Sequence, residues 1–122
     1  MREKPRLNVF RNFRQAWWGF KDAWQHEAVF RVELICISIL FVLALLLPLP
    51  WPRRVVLALS LFLVPVAEII NTALERVVDL VTLEFHDLAK RAKDLGSTLV
   101  VAAILVVAVI WGAVLGLHFT GN

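Results

Sequence analysis

One face of a predicted helix near the middle of the chain carries side chains that could do chemistry. Glu68, Asn71, Glu75 and Asp79 follow one another at intervals of three or four residues. At about 100° per residue, this spacing places them within a stripe roughly 80° wide. Two carboxylates in such a stripe suit Mg²⁺ together with phosphate oxygens, and a further carboxylate could accept the proton of a hydroxyl group.

A second polar stripe follows in the next charged segment. Lys90, Lys93, Asp94 and Ser97 are again three or four residues apart, or adjacent. Lysines in this position could hold phosphate. The alternative interpretation is that the charges only pair with one another. It predicts ion pairs of Arg76 with Asp79, of Lys90 or Arg91 with Asp87, and of Lys93 with Glu33.

The composition indicates a membrane protein. Of the 122 residues, 60% are hydrophobic and 19% are charged, whereas soluble domains have about 45–50% and about 25%. The single cysteine, Cys36, excludes an intramolecular disulfide and a cysteine-based zinc site. The net charge of +3 favours anionic lipid headgroups over nucleic acid as the partner, because no interleaved basic and aromatic residues indicate a nucleic-acid groove.

Three stretches are long and apolar enough to cross a bilayer as helices. The predicted order is span one over 32–50, span two over 54–82, a cytoplasmic loop over 83–95, and span three over 97–119. The second half of span two is polar and is expected to face protein or water. Pro48, Pro50 and Pro52 end the first span, and Pro65 is expected to kink the second.

The N-terminal region predicts an amphipathic helix over 7–28 that lies in the membrane interface. Its aromatic residues recur at helical spacing and are Phe10, Phe13, Trp17, Phe20 and Trp24. Basic and polar residues fill most of the other sides, which is typical of interfacial helices. A soluble helix on a core is the alternative, but no soluble core remains for it to cover. A signal peptide is not predicted, because the apolar run starts late and lacks a cleavage site.

Lysine and arginine are distributed unevenly between the two ends of the spans. Residues 1–32 contain seven, the segment after span two contains three, the turn after span one contains two, and the C-terminal tail contains none. The positive-inside rule therefore predicts a cytoplasmic N-terminus and a C-terminus outside. All ten carboxylates then lie on the cytoplasmic side.

Nucleotide-binding loops of the usual kinds are absent from the sequence. There is no GxxxxGK[ST] and no GxGxxG segment, and HExxH is also missing. Any nucleotide would therefore be held by side chains and a metal ion instead of a glycine-rich cradle.

Four segments, in order along the chain, carry a family resemblance. They are Glu27-Ala28-x-Phe30-Arg31-x-Glu33, Glu68-Ile69-x-Asn71-Thr72-Ala73-x-Glu75-x-Val77-Val78-Asp79, Glu84-x-His86-x-Leu88, and Ala92-Lys93-Asp94-x-Gly96-Ser97. They resemble the small integral-membrane prokaryotic diacylglycerol kinases. The resemblance implies an all-α membrane protein with an interfacial helix and three transmembrane helices, assembled as a homotrimeric bundle in the bacterial inner membrane. It also implies transfer of the γ-phosphoryl group of MgATP to diacylglycerol, which gives phosphatidate.

The same resemblance implies residue roles. Glu68 matches the family's proposed general base, and Asn71 matches a polar active-site position. Glu27 and Glu75 match the carboxylates that hold Mg²⁺. The implied nucleotide contacts are Gln15, Glu27, Glu75, Glu84, Phe85, His86, Lys93 and Asp94. The implied lipid-side positions are Arg14, Trp17, Lys21, Trp24, Arg31, Glu33, Arg54, Glu68, Ser97 and Trp111.

Some positions depart from the family pattern and leave alternatives open. Asn8, Gln15 and Val32 replace residues that are common in diacylglycerol kinases, and the segment 77–82 leans towards undecaprenol kinases. An undecaprenol kinase is therefore the first alternative. A small oligomeric transporter would need an essential carboxylate near the midplane, which spans one and three lack. A non-catalytic assembly subunit would not require the stripe that begins at Glu68.

Overall fold

The computed structural model describes residues 8–121. Within that range it consists of helices and short connections, with no strand. The helices are α1 (Val9–His26), α2 (Ala28–Leu46), α3 (Trp51–Ser60), α4 (Leu63–Val81) and α5 (Asp87–Phe119). Within these residues, three stretches are long and apolar enough to cross a membrane, and they are Ala28–Leu46, Trp51–Val81 and Asp87–Phe119. The prediction of an all-α fold with three spans is therefore confirmed.

The chain turns sharply between α1 and α2. Glu27 has extended backbone angles, φ −114° and ψ 99°, and separates the two helices. Arg31 donates from Nη1 to the carbonyl oxygens of Trp24, at 2.7 Å, and Gln25, at 3.1 Å. These bonds satisfy carbonyl groups that the end of α1 leaves unpaired. The predicted helix over 7–28 therefore ends two residues early, at His26, and its predicted start lies outside the described residues, as do the basic residues before it.

Span one is displaced relative to its predicted bounds of 32–50. It begins at Ala28, directly after the extended residue, and ends at Leu46. Leu47 is extended at φ −65° and ψ 145°, because a residue that precedes proline avoids the helical region. Arg54 then donates to the carbonyl oxygen of Leu45 at 3.2 Å, which closes the turn into α3.

The second span consists of two helices instead of the single predicted helix over 54–82. The regular hydrogen bonding breaks at Leu61 and Phe62, about one turn before Pro65. Proline has no N–H, and its ring clashes with the carbonyl group four residues earlier, here that of Leu61. Val64 donates to that carbonyl at 3.4 Å in a bond between residues three apart. The expected distortion by Pro65 is thus present, and it lies upstream of the proline.

The predicted loop over 83–95 is wrong over most of its length. The non-helical connection covers only 82–86, and α5 starts at Asp87. The side chain of His86 caps this helix, because its Nδ1 accepts from the backbone N–H of Leu88 at 3.1 Å. The cap explains why the helix starts one residue after the histidine, well before the apolar stretch begins.

The bundle has two chemically different ends. The apolar end lies beside the turn between α2 and α3 and is made of Ala44, Leu49, Leu57, Ala58, Ser60 and Trp111. The polar end lies where α1, the start of α2, the end of α4 and the start of α5 come together. We define it by Asp22, Glu27, Glu33, Glu68, Asn71, Glu75, Arg76, Asp79 and Lys93.

Candidate active site at the polar end

Asn71 lies at the interface between α4 and α5. It is 8% exposed, and Gly96 of α5 faces it. A Cβ atom added to Gly96 would lie 2.1 Å from Oδ1 of Asn71 and 3.1 Å from Leu74. A side chain at this position would therefore displace the Asn71 amide or push the two helices apart, and glycine avoids both.

The amide group of Asn71 is only partly satisfied. Its Nδ2 donates to Oε1 of Glu75 at 3.3 Å, which links two residues of the predicted stripe. Its Oδ1 is buried and accepts no hydrogen bond from the described residues. A buried polar atom without a partner is costly. This oxygen therefore has capacity for a donor that arrives with a ligand or with water.

Three carboxylates converge around Glu68. Glu33 of α2 faces Glu68 of α4 closely enough for their carboxyl groups to interact, and Glu27 and Glu75 both act electrostatically on Glu68. One oxygen of Glu33 is buried without a hydrogen-bond partner among residues 8–121. The stripe predicted on α4 is therefore joined by carboxylates from α2 and from the α1–α2 turn.

Arg76 connects the polar end to α1. Its guanidinium donates to Oδ2 of Asp22 and, through Nη2 at 3.0 Å, to Oε1 of Glu27. The hydrogen bond from Arg76 holds the pKa of Asp22 below its ordinary value. The predicted pairing of Arg76 with Asp79 is therefore wrong, because the arginine points to α1 instead of along its own helix.

The charges of α5 also find partners that differ from the predicted ones. Lys93 donates to Oδ1 of Asp79 at 2.6 Å, and Lys90 donates to Oδ2 of Asp94 at 2.7 Å. These pairs replace the expected pairings of Lys93 with Glu33 and of Lys90 or Arg91 with Asp87. The charges do pair, as the alternative interpretation supposed; the Lys93–Asp79 pair joins α4 to α5, whereas the Lys90–Asp94 pair lies within α5.

A groove lies between the end of α4 and the start of α5. Its volume is about 410 Å³, and its lining includes Asp79, Glu84, Phe85, His86, Lys93 and Asp94. Five of the residues that the resemblance assigns to the nucleotide therefore share one surface. Gln15 lies apart from it on α1.

The lipid-side residues fall into three groups. Trp17, Lys21 and Trp24 line a shallow cavity of about 420 Å³ along α1, and the guanidinium of Arg14 lies 5.5 Å from the ring centre of Trp18. The second group is Arg31, Glu33, Glu68 and Ser97, of which Glu33 and Glu68 belong to the polar end and Ser97 follows Gly96 on α5.

Arg54 and Trp111 lie at the other end of the bundle. Trp111 donates from Nε1 to Oγ of Ser60 at 3.2 Å, and it packs against the buried core of the apolar end. Arg54 closes the adjacent turn. These two residues are therefore not brought together with Glu68.

Three residues at the site receive no functional role from the sequence analysis. Gly96 was visible as part of a motif, but its contact with Asn71 depends on how two helices cross. Arg76 and Asp22 are 54 residues apart, and no periodicity pairs them. Opposite charge is the signal that the sequence offers for Arg76, and it favours the nearer Asp79 as the partner.

Glu27 and Glu75 fit a cation that takes most of its ligands from elsewhere. No cluster of three or more His, Cys, Asp or Glu residues suited to a metal ion occurs in the part of the chain that the structure describes. Glu27 engages one oxygen with Arg76, and Glu75 engages one with Asn71. Each carboxylate thus has a second oxygen for a ligand, which suits Mg²⁺, because it is usually bound by one or two carboxylates with phosphate oxygens and water.

Comparison with known proteins gives a consistent result. The family model described as prokaryotic diacylglycerol kinase matches residues 14–115. The chain is 41% identical over 104 residues to the diacylglycerol kinase of Escherichia coli strain K12, which covers 85% of each chain. It is 37% identical over 97 residues to that of Haemophilus influenzae, covering 80% of this chain and 82% of the relative. For the Pseudomonas aeruginosa enzyme the identity is 36% over 97 residues, covering 80% and 79%.

Proposed function

Because the chain belongs to the prokaryotic diacylglycerol kinase family, we propose that its polar end transfers the γ-phosphoryl group of ATP to the hydroxyl group of diacylglycerol. The chain is a lipid kinase and an integral membrane protein. Undecaprenol is not favoured as the lipid, since the relatives named above are diacylglycerol kinases. The observation that carries the proposal is the convergence of Glu27, Glu68 and Glu75 where α1, α2 and α4 meet.

Glu68 is the proposed general base. It lies seven residues before Glu75 on α4, which corresponds to about 10 Å further into the bundle. A lipid hydroxyl that enters from the apolar part of the bundle would therefore reach Glu68 before the other stripe carboxylates. Its proton would pass to a Glu68 oxygen as the hydroxyl oxygen attacks the γ-phosphorus, and Asn71 would hold the reacting groups in place.

Glu27 and Glu75 are the proposed Mg²⁺ ligands. When bound with ATP, Mg²⁺ would neutralise charge on the phosphate oxygens, which is the main requirement of phosphoryl transfer beyond positioning. Glu27 is the extended residue between α1 and α2, and Glu75 lies on α4. The two carboxylates therefore come from separate elements, and their arrangement depends on how α1 and α4 are held together.

The groove beside α5 is the proposed nucleotide site. Lys93 would exchange its contact with Asp79 for the phosphates of ATP, because a more highly charged partner competes for the same ammonium group. Glu84, Phe85, His86 and Asp94 line the groove. Gln15 is proposed to reach the nucleotide from α1.

The lipid is proposed to enter along α1 and between the spans. An apolar groove of about 450 Å³ runs between α2 and the second span, and Phe30, Leu34 and Ile69 contribute to its lining. Its lining includes Ile69, the residue that follows Glu68 on α4, and we propose that a lipid seated there presents its headgroup to the base. The proposed headgroup side consists of Arg14, Trp17, Lys21, Trp24, Arg31, Glu33 and Ser97. Arg54 and Trp111 could meet only the tails, since they lie at the apolar end.

The proposed setting is the bacterial inner membrane, with the N-terminus cytoplasmic and the C-terminus outside. The exposed aromatic side chains of α1, among them Phe10 and Phe13, suit a position in the membrane interface. A homotrimer is proposed from the family resemblance, and a single copy leaves the side chains of Asp22, Glu27 and Arg76 partly exposed at the site.

The direct test is a transfer assay with the purified protein in mixed micelles. ATP labelled at the γ-phosphate is supplied with Mg²⁺ and with diacylglycerol or undecaprenol in parallel reactions. The proposal predicts label in phosphatidate at a rate well above that of undecaprenol phosphate formation. Preferred labelling of undecaprenol would overturn the assignment of the lipid, and no transfer to either lipid would overturn the proposed reaction.

A further inference from the structure

Arg76 makes an unusual contact for a residue of the second span. One guanidinium group reaches two carboxylates, Asp22 of α1 and Glu27 of the α1–α2 turn, which are 54 and 49 residues away along the chain. Arginine is suited to such a fork, since its planar group presents donors in fixed directions. The contact therefore ties α1 and the turn to α4 at a single point.

Apolar packing between α1 and α4 is loose at this point. A cavity of about 690 Å³ lies between them, and its lining includes Gly19, Phe20, Ala73 and Arg76. Within residues 8–121, α1 also contacts α2, through the edge-to-face rings of Phe20 and Phe30 at 5.8 Å and through the Arg31 bonds described above. The fork of Arg76 thus spans a gap that side-chain packing does not close.

The same fork fixes the direction of the Glu27 side chain. Glu27 has extended backbone between two helices, so helical packing does not determine where its carboxylate points. Arg76 holds one oxygen of that carboxylate at 3.0 Å. It also places a positive charge next to a group of carboxylates that would otherwise repel one another.

We infer that Arg76 is a positioning residue, which holds α1 and the carboxylate of Glu27 on the helix that carries Glu68 and Glu75. The part of this inference that concerns Glu27 rests on the proposed function of that residue as a metal ligand. The tie between α1 and α4 does not depend on that function. The two acceptors also separate the roles, because Asp22 belongs to α1, whereas Glu27 belongs to the site.

The first test measures the tie without reference to activity. Hydrogen–deuterium exchange of the amides of α1 is compared in micelles for the wild type, Arg76→Met and Arg76→Lys. Methionine removes the charge at similar length, and we expect exchange in 9–26 to accelerate about fivefold, the effect of losing charge-assisted hydrogen bonds near a surface. Lysine keeps the charge but not the fork, so an intermediate rate is expected. Arg91→Met is the matched control, since Arg91 is exposed on α5 and forms none of the ion pairs between residues 8 and 121.

The second test measures the effect on the site. Arg76→Met should raise the Mg²⁺ concentration for half-maximal activity and the KM for diacylglycerol by about tenfold each, with a smaller change in kcat at saturation, because it misplaces binding groups and not the base. Asp22→Asn should accelerate exchange in α1 and raise the KM for the lipid, but leave the Mg²⁺ requirement within about twofold, since Glu27 keeps its bond to Arg76.

Separate results would overturn each part. Exchange rates in α1 that are equal in the wild type and Arg76→Met would refute the tie, and an unchanged Mg²⁺ requirement in that variant would refute the positioning of Glu27. If the wild type itself transferred no phosphate, the proposed function would fail, and the exchange measurement would still decide the tie. Global unfolding of Arg76→Met would appear as fast exchange in α5 as well, in which case Arg76→Lys and Asp22→Asn decide the question.

Discussion

The two ends of the helical bundle differ in chemistry, although the same three spans contribute to both. At the apolar end, Leu57 and Ala44 are fully buried and Ala58 is 3% exposed, and a tryptophan donates to a buried serine. At the polar end, the side chains of Arg76, Asp22 and Glu27 are 47%, 41% and 34% exposed, and the helices are joined by ion pairs. The first end is closed by apolar packing, whereas the second stays accessible to a ligand.

Desolvation explains why the candidate catalytic groups lie at the polar end. Carboxylates in a closed apolar core would lose more by desolvation than pairing could return. At the polar end, the charges of Asp79 and Glu27 are offset by Lys93 and Arg76, which bind them from neighbouring helices. A phosphate or a metal ion could exchange with these partners. Substitutions at the polar end should therefore change activity, and those at the apolar end should change stability.

The largest effect expected from a helix-packing change is at Gly96. In Gly96→Ala, the new methyl group would collide with Oδ1 of Asn71, so either the Asn71 amide must turn away from Glu75 or α5 must move away from α4. A displacement of about 1 Å at a catalytic site can cost about 100-fold in rate. Gly112→Ala is the matched control, since an added Cβ there meets nothing within 4 Å in the described part of the chain. Transfer rates of both variants check this, and equal rates would contradict the described crossing of α4 and α5.

A smaller effect is expected for the proposed metal ligands. Glu27→Gln and Glu75→Gln keep the shape of the side chain but remove its charge, so each should raise the Mg²⁺ concentration for half-maximal activity at least about tenfold. Titration of activity with Mg²⁺ in the same micelles measures this. An unchanged Mg²⁺ requirement in both variants would contradict the assignment of the two carboxylates.

A substitution at Leu57 tests whether the apolar end contributes to stability and not to activity. Leu57→Ala leaves a cavity at a fully buried position, and such changes typically cost about 2–5 kcal/mol. The thermal midpoint should therefore fall, whereas kcat below that temperature should stay within about threefold, since the site is distant. Leu59→Ala is the control on the same helix, because Leu59 is 61% exposed. A large loss of kcat with an unchanged midpoint would show that the two ends are not separate in function.

The smallest expected effect is a pH dependence of the α1 contact. Arg76 lowers the pKa of Asp22, chiefly through its hydrogen bond, and His26 lies 3.1 Å from the same carboxylate. A lowered pKa means that the contact stabilises the fold above the ordinary pKa of aspartate and is lost as the pH falls through the lowered value. Tryptophan emission from α1 should therefore change in acid, below about pH 4. The same change in Asp22→Asn would contradict the role of this carboxylate.

The sequence predicts some features of the fold and site well because they depend on local spacing. The stripe from Glu68 to Asp79 follows from helical periodicity, and the three spans follow from apolar length. The predicted start of α5 is too late, because the charged residues before the apolar stretch favour a loop, whereas the cap at His86 starts the helix there. Boundaries at Glu27 and Leu61 also depend on local backbone effects that composition does not reveal.

The contacts between helices could not be predicted in this way. The partners of Arg76 and Lys93 are decided by how α1 and α5 pack on α4, and charge patterns along the chain favoured nearer partners. The same holds for Gly96, whose importance depends on the position of Asn71 across the interface. Trp111 shows the opposite case, since a residue assigned by resemblance to the lipid lies in the packed apolar end.

The most direct test of the central claim is the transfer rate of Glu68→Gln, measured together with ATP affinity. Glutamine keeps volume and hydrogen bonding but cannot accept the proton, so we expect the rate of diacylglycerol phosphorylation to fall about 100- to 10,000-fold. MgATP binding should remain close to that of the wild type, because Glu27, Glu75 and Lys93 are unchanged. Retention of more than about a tenth of the wild-type rate would contradict the account, since general-base loss costs more than that. Glu68 would then be a structural carboxylate, and Asp94 the next candidate for the base.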